Sequence, residues 1–307
     1  HVLNTGNDCC STETACRFSC SGSPVSIFIS FFLEKSLRLA KYVALVFPKF
    51  LLNTPEFSTT RAELAQKSVD AILDFGEKGF PGILVETIAI FINNLAAPAN
   101  TKVFSLTHRL HLTQPQAYIF DPELPYWIIY RNQLFDSVCR KLDFDVFEVF
   151  RDRQLTNKLL SSSGELRVLK SRNLSDDGKE ILDILGYDSY ISYAAAKPLS
   201  VFQYLDAPNV YLTPNMTYKP RMMKKPPHCV VNGSLAILIP KGGIVPTEKQ
   251  LAYFSSEEYR AFYQIARNFQ TRSLNVDACS VFFYGLLRDE AKPAPEKFDT
   301  SVQLSFF

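Results

Sequence analysis

No apolar run in this chain is long enough to cross a membrane; the longest, such as Ile88 to Ile92, are strand-sized. The apolar stretch from Pro24 to Leu33 follows no basic region or Met and leads into Glu34, Lys35 and Arg38. It reads as a buried helix, not as a signal peptide. Net charge is low, +2 over 307 residues, and neither demands nor excludes a polyanionic partner. A Gly-x-Ser-x-Gly elbow is missing, so nucleophilic hydrolysis has no support. The only Glu-x-Lys, Glu290-Ala-Lys292, lies in a charged segment over 288–299 that reads as exposed, and is taken as chance. Histidines are few and dispersed: His1, His108, His111 and His228 form no obvious ligand set. The spacing of His108 and His111 suits one helix face rather than a strand, with a core or surface role. Seven cysteines are an odd count for a secreted disulfide scaffold. Cys9, Cys10, Cys16 and Cys20 lack the spacing of a zinc knuckle, and Cys139, Cys229 and Cys279 read as buried thiols.

What is present is ordinary globular material: 47% hydrophobic and 21% charged residues, enough for one large domain or two ordinary ones. Residues 1–25 are polar and aperiodic and read as an irregular segment. Ile27, Phe28, Phe31, Phe32, Leu33 and Leu37 then show helical spacing. Tyr42 to Phe47, closed by Pro48, reads as a buried strand of parallel type. Thr54 and Pro55 predict the cap and first position of a helix running to about Lys67. Val69 to Phe75, ended by Gly76, and Val85 to Ile92, ended by Asn93 and Asn94, read as two further strands. Only the turn Gly79-Phe80-Pro81-Gly82 separates them, which leaves no room for a crossover helix, so they pair antiparallel. The order is half of a doubly wound sheet.

Ala96 to Lys102 reads as a linker. Beyond it, Tyr126 to Tyr130 and a helix near Phe135 to Leu142 form a bridge. Residues 145–240 read as mostly β, and Ser255 to Asn268 as a helix capped by Ser255 or Ser256. Charge is unevenly spread. Tyr211 to His228 holds Lys219, Arg221, Lys224 and Lys225 and no acid; Arg151 to Arg172 holds six basic residues against two acids.

Phe31 to Leu39, Val43 to Asn53, Asp70 to Phe75 and Phe80 to Asn93 together resemble the second half of the catalytic domain of gamma-class adenine-N6 DNA methyltransferases. Tyr211-Leu-Thr-Pro-Asn-Met-Thr-Tyr-Lys-Pro-Arg221, Val231 to Pro240 and Thr271-Arg-Ser-Leu-Asn275 resemble their TaqI-type C-terminal specificity domain. The resemblance implies an α/β chain: a partial doubly wound methyltransferase sheet over 26–120, then a mixed α+β target-recognition domain over 121–307. It implies a cytoplasmic bacterial or archaeal protein of a restriction-modification system, with double-stranded DNA as partner and no membrane. Two family features are missing. No Gly-containing strand–loop–helix for S-adenosylmethionine precedes Val25, and Asn-Pro-Pro occurs nowhere. The expectation is thus the DNA-recognition half of a split or truncated enzyme, not active alone. S-adenosylmethionine would bind only with a complementing chain, a second polypeptide carrying the cofactor and Asn-Pro-Pro-Tyr/Phe motifs. The alternative is a non-enzymatic specificity subunit of a restriction system; a weaker third is an endonuclease partner sharing only the recognition region.

Methylating an adenine amine in a duplex requires taking the base out of the stack. By resemblance, Phe80 stacks on that base; it would otherwise plug the end of the sheet. Lys49, or Asn53, at a strand's carboxyl end, faces the ligand crevice or is simply solvated, the expected outcome for the lysine. Lys219, Arg221, Lys224 and Lys225 suit phosphates, and Asn215, Thr217 and Tyr218 suit base edges. Arg151, Arg153, Gln154, Asn157 and Lys158 form a second candidate cluster, and Arg272 with Ser273 and Asn275 a third. Each could equally be a solvated loop or an internal pairing.

Overall fold

The computed structural model describes residues 24–82, 84–270 and 275–289. The expectations placed on 1–23, including Cys9, Cys10, Cys16 and Cys20, on Arg272 and Ser273, and on most of 288–299, lie outside the described residues.

Helix α1 (Pro24–Leu39) leads into β1 (Tyr42–Pro48). The helix is present as expected, but it is not buried all round. Leu33 is buried and the Ser30 hydroxyl meets that of Thr60 at 2.8 Å, while Phe28, Phe31 and Phe32 are exposed. The next helix departs from expectation too. A 3-10 turn, Pro55–Phe57, precedes α2 (Ser58–Ala65). Thr54 does not cap it, because its hydroxyl donates back to the Phe50 carbonyl at 3.1 Å.

Strands β2 (Ser68–Gly76) and β3 (Thr87–Asn93) are antiparallel neighbours, as the short turn requires. β3 also pairs antiparallel with β1, Tyr42 opposite Asn93 through Pro48 opposite Thr87. β1 and β2 therefore point the same way with β3 reversed between them. The expected linker is instead the approach to β4 (Asn100–Ser105), which pairs parallel to β2 and antiparallel to β5 (Leu110–Pro115). The full order is β1-β3-β2-β4-β5. A β4 strand begins where Ala96, Pro98 and polar residues read as connector, because Thr101 and Val103 alternate inward within a stretch too short to show a period. His111 lies on β5, stacked on Phe104 at 4.4 Å, and His108 lies in the preceding turn, so the two share no helix.

After a short α3 (Gln116–Ile119), the Tyr126 to Tyr130 run is wholly buried and leads to α4 (Gln133–Lys141), capped by the Asn132 side chain. The remainder is broken into small pieces: β6 (Leu142–Asp143), β7 (Phe147–Phe150), β8 (Leu166–Leu169), β9 (Ser189–Ile191), α5 (Tyr193–Ala196), β10 (Tyr211–Pro214), β11 (Met223–Lys224), β12 (Cys229–Val231) and β13 (Leu235–Pro240). Then come α6 (Glu248–Tyr253), α7 (Glu257–Ala266), capped by Ser256, and β14 (Leu286–Leu287). The strands join as β11-β10-β13-β7, β12-β8-β9 and β14-β6. The chain is thus mixed α/β with several sheets and few helices among the described residues. One apolar core runs from Leu33 through the first sheet, the 126–130 run and α7 to Leu286. A second fills the space between β8, β12 and β13.

Candidate functional site

Strands β1, β2 and β4 end at the same margin of the first sheet, where open α/β sheets place their ligands. A cleft of about 330 Å³ lies there, lined in part by Lys49, Gly76, Lys78, Glu86, His108 and Phe269. That volume is at the small end of small-molecule sites.

Beneath the cleft is a buried polar network. Lys49 is expected to be solvated; it is instead 1% exposed and donates to Asp74 Oδ2 at 2.7 Å. The Tyr130 hydroxyl donates to the same oxygen, and the Gly76 amide donates to Asp74 Oδ1 at 2.9 Å. The Lys49 backbone is pinned as well, its amide donating to the Glu86 carbonyl at 2.8 Å. An ammonium and a carboxylate survive burial only when each finds such partners. Burial, and then the Asp74 charge, push the Tyr130 hydroxyl well above its usual range, so it stays a donor. Asn53, one turn beyond Lys49, is 1% exposed, and neither polar atom of its side chain has a hydrogen-bond partner among the described residues.

Aromatic rings form the cleft's wall. The His108 ring lies 4.6 Å from that of Phe269 and 6.2 Å from that of Tyr130, and Tyr130 and Phe269 meet edge to face at 5.1 Å. Burial and then the Lys49 charge hold His108 below the ordinary histidine value. Phe80 stands in the turn after β2 and is 45% exposed. A Cβ at Gly79 would come within 2.3 Å of Thr87 Oγ1 and 3.1 Å of Phe75 Cβ, so only glycine lets this turn lie against β3.

The basic candidates separate by burial. Arg153, Gln154, Asn157 and Lys158 are exposed, with Asn157–Leu159 in a 3-10 turn and Arg151 half-buried. The Asp152 carboxylate folds this loop by accepting from the Gln154 and Leu155 amides, and Gln154 Oε1 accepts from Ser200 N at 2.7 Å. Tyr218, Lys219 and Lys224 are exposed; Lys219 pairs with Asp176 at 2.8 Å and Thr217 bonds the Lys219 backbone. The others point inward. Lys225 is 4% exposed and its ammonium donates to the carbonyls of Leu205 and Pro226. Arg221 is buried and donates to the carbonyls of Lys219, Ser171 and Leu174. Asn215 is buried too, bonding Gly233 O, Asn275 Oδ1 and Val276 N. These four, Asn275 included, hold loops together; polar type and position in a basic run could not distinguish them from surface residues. Sequence reasoning also missed Asp74, Tyr130 and Phe269. Asp74 carried one signal, a second carboxylate after Asp70 near the end of a largely apolar strand; Phe269 carried none that sets it apart from its neighbours.

No protein-family model matches the chain, and no curated protein does. Solved structures resemble it, among them three from restriction-modification systems. The type IIL restriction-modification enzyme MmeI, in complex with DNA, is 10% identical over 85% of this chain and 41% of its own, with a TM-score of 0.45. The type IIG restriction endonuclease BpuSI is 10% identical over 83% of this chain and 41% of its own, with a TM-score of 0.33. A chain from a study of the assembly of a type I restriction-modification system is 19% identical over 28% of this chain and 18% of its own, with a TM-score of 0.24. The chain spans about two fifths of the length of the first two and about a fifth of the third.

Proposed function

We propose that this chain is the DNA-recognition half of a split or truncated adenine-N6 DNA methyltransferase. The observation that carries the reading is the sheet margin: β3 lies reversed between the co-directional β1 and β2, and a small cleft opens at their carboxyl ends. This accords with the motif order on which the family resemblance rests. Phe80, exposed on its turn beyond β2, is the stacking surface for the extruded adenine. The Lys49–Asp74–Tyr130 network keeps the cleft's floor rigid. Of the candidate residues, Arg153, Lys158 and Lys224 are exposed cations open to phosphates, and Lys219 is exposed beside its Asp176 partner, a sequence-independent source of affinity. Asn157, Thr217 and Tyr218 stand beside them as candidates for base edges.

Two glycines at the sheet margin leave S-adenosylmethionine no close approach to the backbone. Gly76 and Gly79 are closed off, a Cβ at Gly76 lying 2.3 Å from Thr107 Oγ1 and Gly79 abutting Thr87, while Gly82 in the same turn faces open space. In this reading the donor is bound by a complementing part of the enzyme, carried on a second polypeptide, and no step through it is assigned to these residues.

The test is binding of a fluorescent DNA duplex followed by anisotropy across a salt series, then adenine-N6 methylation once the complement is added. Salt-dependent duplex binding followed by methylation supports the reading. Duplex binding that never leads to methylation would favour a specificity subunit. Absence of duplex binding would sink both.

A further inference from the structure

The cleft's wall comes from a strained turn in the distant part of the chain. After α7 the backbone enters the left-handed region at two successive non-glycine residues, Asn268 (φ 50°) and Phe269 (φ 53°). Each costs free energy that a neighbouring helical or extended conformation would not, and such strain persists only where the surroundings over-determine it. Here they do. Asn268 is fully buried; its Oδ1 accepts from the Ile129 amide at 2.9 Å and its Nδ2 donates to the Trp127 carbonyl at 2.7 Å. The Phe269 amide closes on the Gln264 carbonyl at 2.8 Å. The product of this strain is one ring, Phe269, half-buried and laid against the His108 ring at the mouth of the cleft. His108 is itself followed by a left-handed residue, Arg109 (φ 51°). Two strained turns from segments about 160 residues apart in sequence thus converge on one aromatic pair.

We propose that Phe269, with His108, is a positioning surface for a planar heteroaromatic ring in this cleft, so that the recognition region supplies part of the wall of the base site. The inference rests on the cleft assigned under the proposed function. It adds a residue that neither the sequence pattern nor Phe80 identifies. A planar ring gains from stacking regardless of its hydrogen-bonding edge, so Phe269 contributes affinity and orientation, while the imidazole of His108 offers one polar contact at the ring's rim.

The experiment titrates the intact chain into 2-aminopurine riboside, a fluorescent nucleoside quenched by stacking, for the native protein, Phe269→Leu, Phe269→Tyr and Asn268→Gly. Quenched binding is expected for the native chain. Phe269→Leu is expected to weaken it about tenfold or more, and Phe269→Tyr to stay within about threefold. Asn268→Gly, which keeps the backbone able to turn but removes the bridge to Trp127 and Ile129, is expected to lower the quenching amplitude. Thermal unfolding of each variant separates loss of fold from loss of the ring. The proposal is overturned if Phe269→Leu binds like the native chain, if the Tyr and Leu variants lose binding equally, or if the native chain does not quench the nucleoside. Duplex binding is measured separately: nucleoside binding without duplex binding would reject the DNA reading and leave the ring surface standing, and duplex binding with an indifferent Phe269→Leu would do the reverse.

Discussion

The two edges of the first sheet are built differently. β5 runs directly into α3, and Tyr118, Ile119 and the whole 126–130 run bury themselves beyond it; Gln114 ties the edge to the Arg131 carbonyl at 2.7 Å. The core passes over that edge into the rest of the chain. β1, at the other edge, leaves Tyr42 67% and Val46 50% exposed, and Phe91, opposite Ala44 on β3, 40% exposed. α1 beside it presents Phe28, Phe31 and Phe32 to solvent. An apolar strand with an unpaired edge is a template for further pairing, and exposed apolar surface of this kind marks an interaction site. The difference shows which side of the sheet the described residues cover and which they leave bare.

Several substitutions would sharpen or break that contrast. The largest effect is expected at the floor of the cleft. Asp74→Ala leaves the Lys49 ammonium buried without its counterion and should cost about 3–5 kcal/mol in chemical denaturation. The double variant Lys49→Met with Asp74→Leu should recover much of that loss, and additive losses would contradict the pairing. At the finished edge, Ile119→Ala, fully buried, should cost about 2–5 kcal/mol. Its counterpart at the bare edge, Phe32→Ser, should change stability by no more than about 0.5 kcal/mol and lower self-association in light scattering. Equal costs for the two would erase the distinction.

A pH effect comes next. Burial first, and then Lys49, hold His108 below its usual 6.5, against the opposing pull of Asp74 and Glu86. The fold therefore favours the neutral imidazole more than the unfolded chain does. Its penalty is absent above about pH 6.5 and grows as pH falls through that value toward the lower folded one. Stability measured from pH 7.5 down to pH 5 should fall more steeply for the native chain than for His108→Gln. The smallest effect is at the surface: Lys219→Ala breaks an exposed pair and should leave stability within about 0.5 kcal/mol. If Lys219 meets a phosphate, the same change lowers the slope of log affinity against log salt by about one.

Local patterns in the sequence carry the centre of the first sheet and little of its surroundings. β1 and β3 are continuous apolar runs with plain stops, β2 is apolar but for Asp70 and Asp74, and the reversal of β3 follows from the length of one turn; that β1 is a partly exposed edge strand paired antiparallel, and not a buried strand of parallel type, was not legible. β4 and β5 were not legible, because the alternation that makes them strands spans only a few residues after a proline-bearing stretch. Helix α1 was legible as a helix, but its burial was not, since burial depends on what stands across from it. The same reason explains Lys49. Its partner Asp74 lies 25 residues away, and nothing around Lys49 announces it. Of the basic run after Tyr211, spacing identified the cations but not their direction, and Arg221 and Lys225 turn inward onto carbonyls. Phe269 reaches the cleft only through tertiary packing.

The most direct test is the mass of the native particle, by light scattering together with intact mass spectrometry of its components. The account predicts a particle heavier than the 34.8 kDa of this sequence, containing a complement that covers β1 and carries the cofactor and Asn-Pro-Pro-Tyr/Phe motifs. A stable lone particle of 34.8 kDa would mean that the bare edge needs no complement, and would contradict the split enzyme.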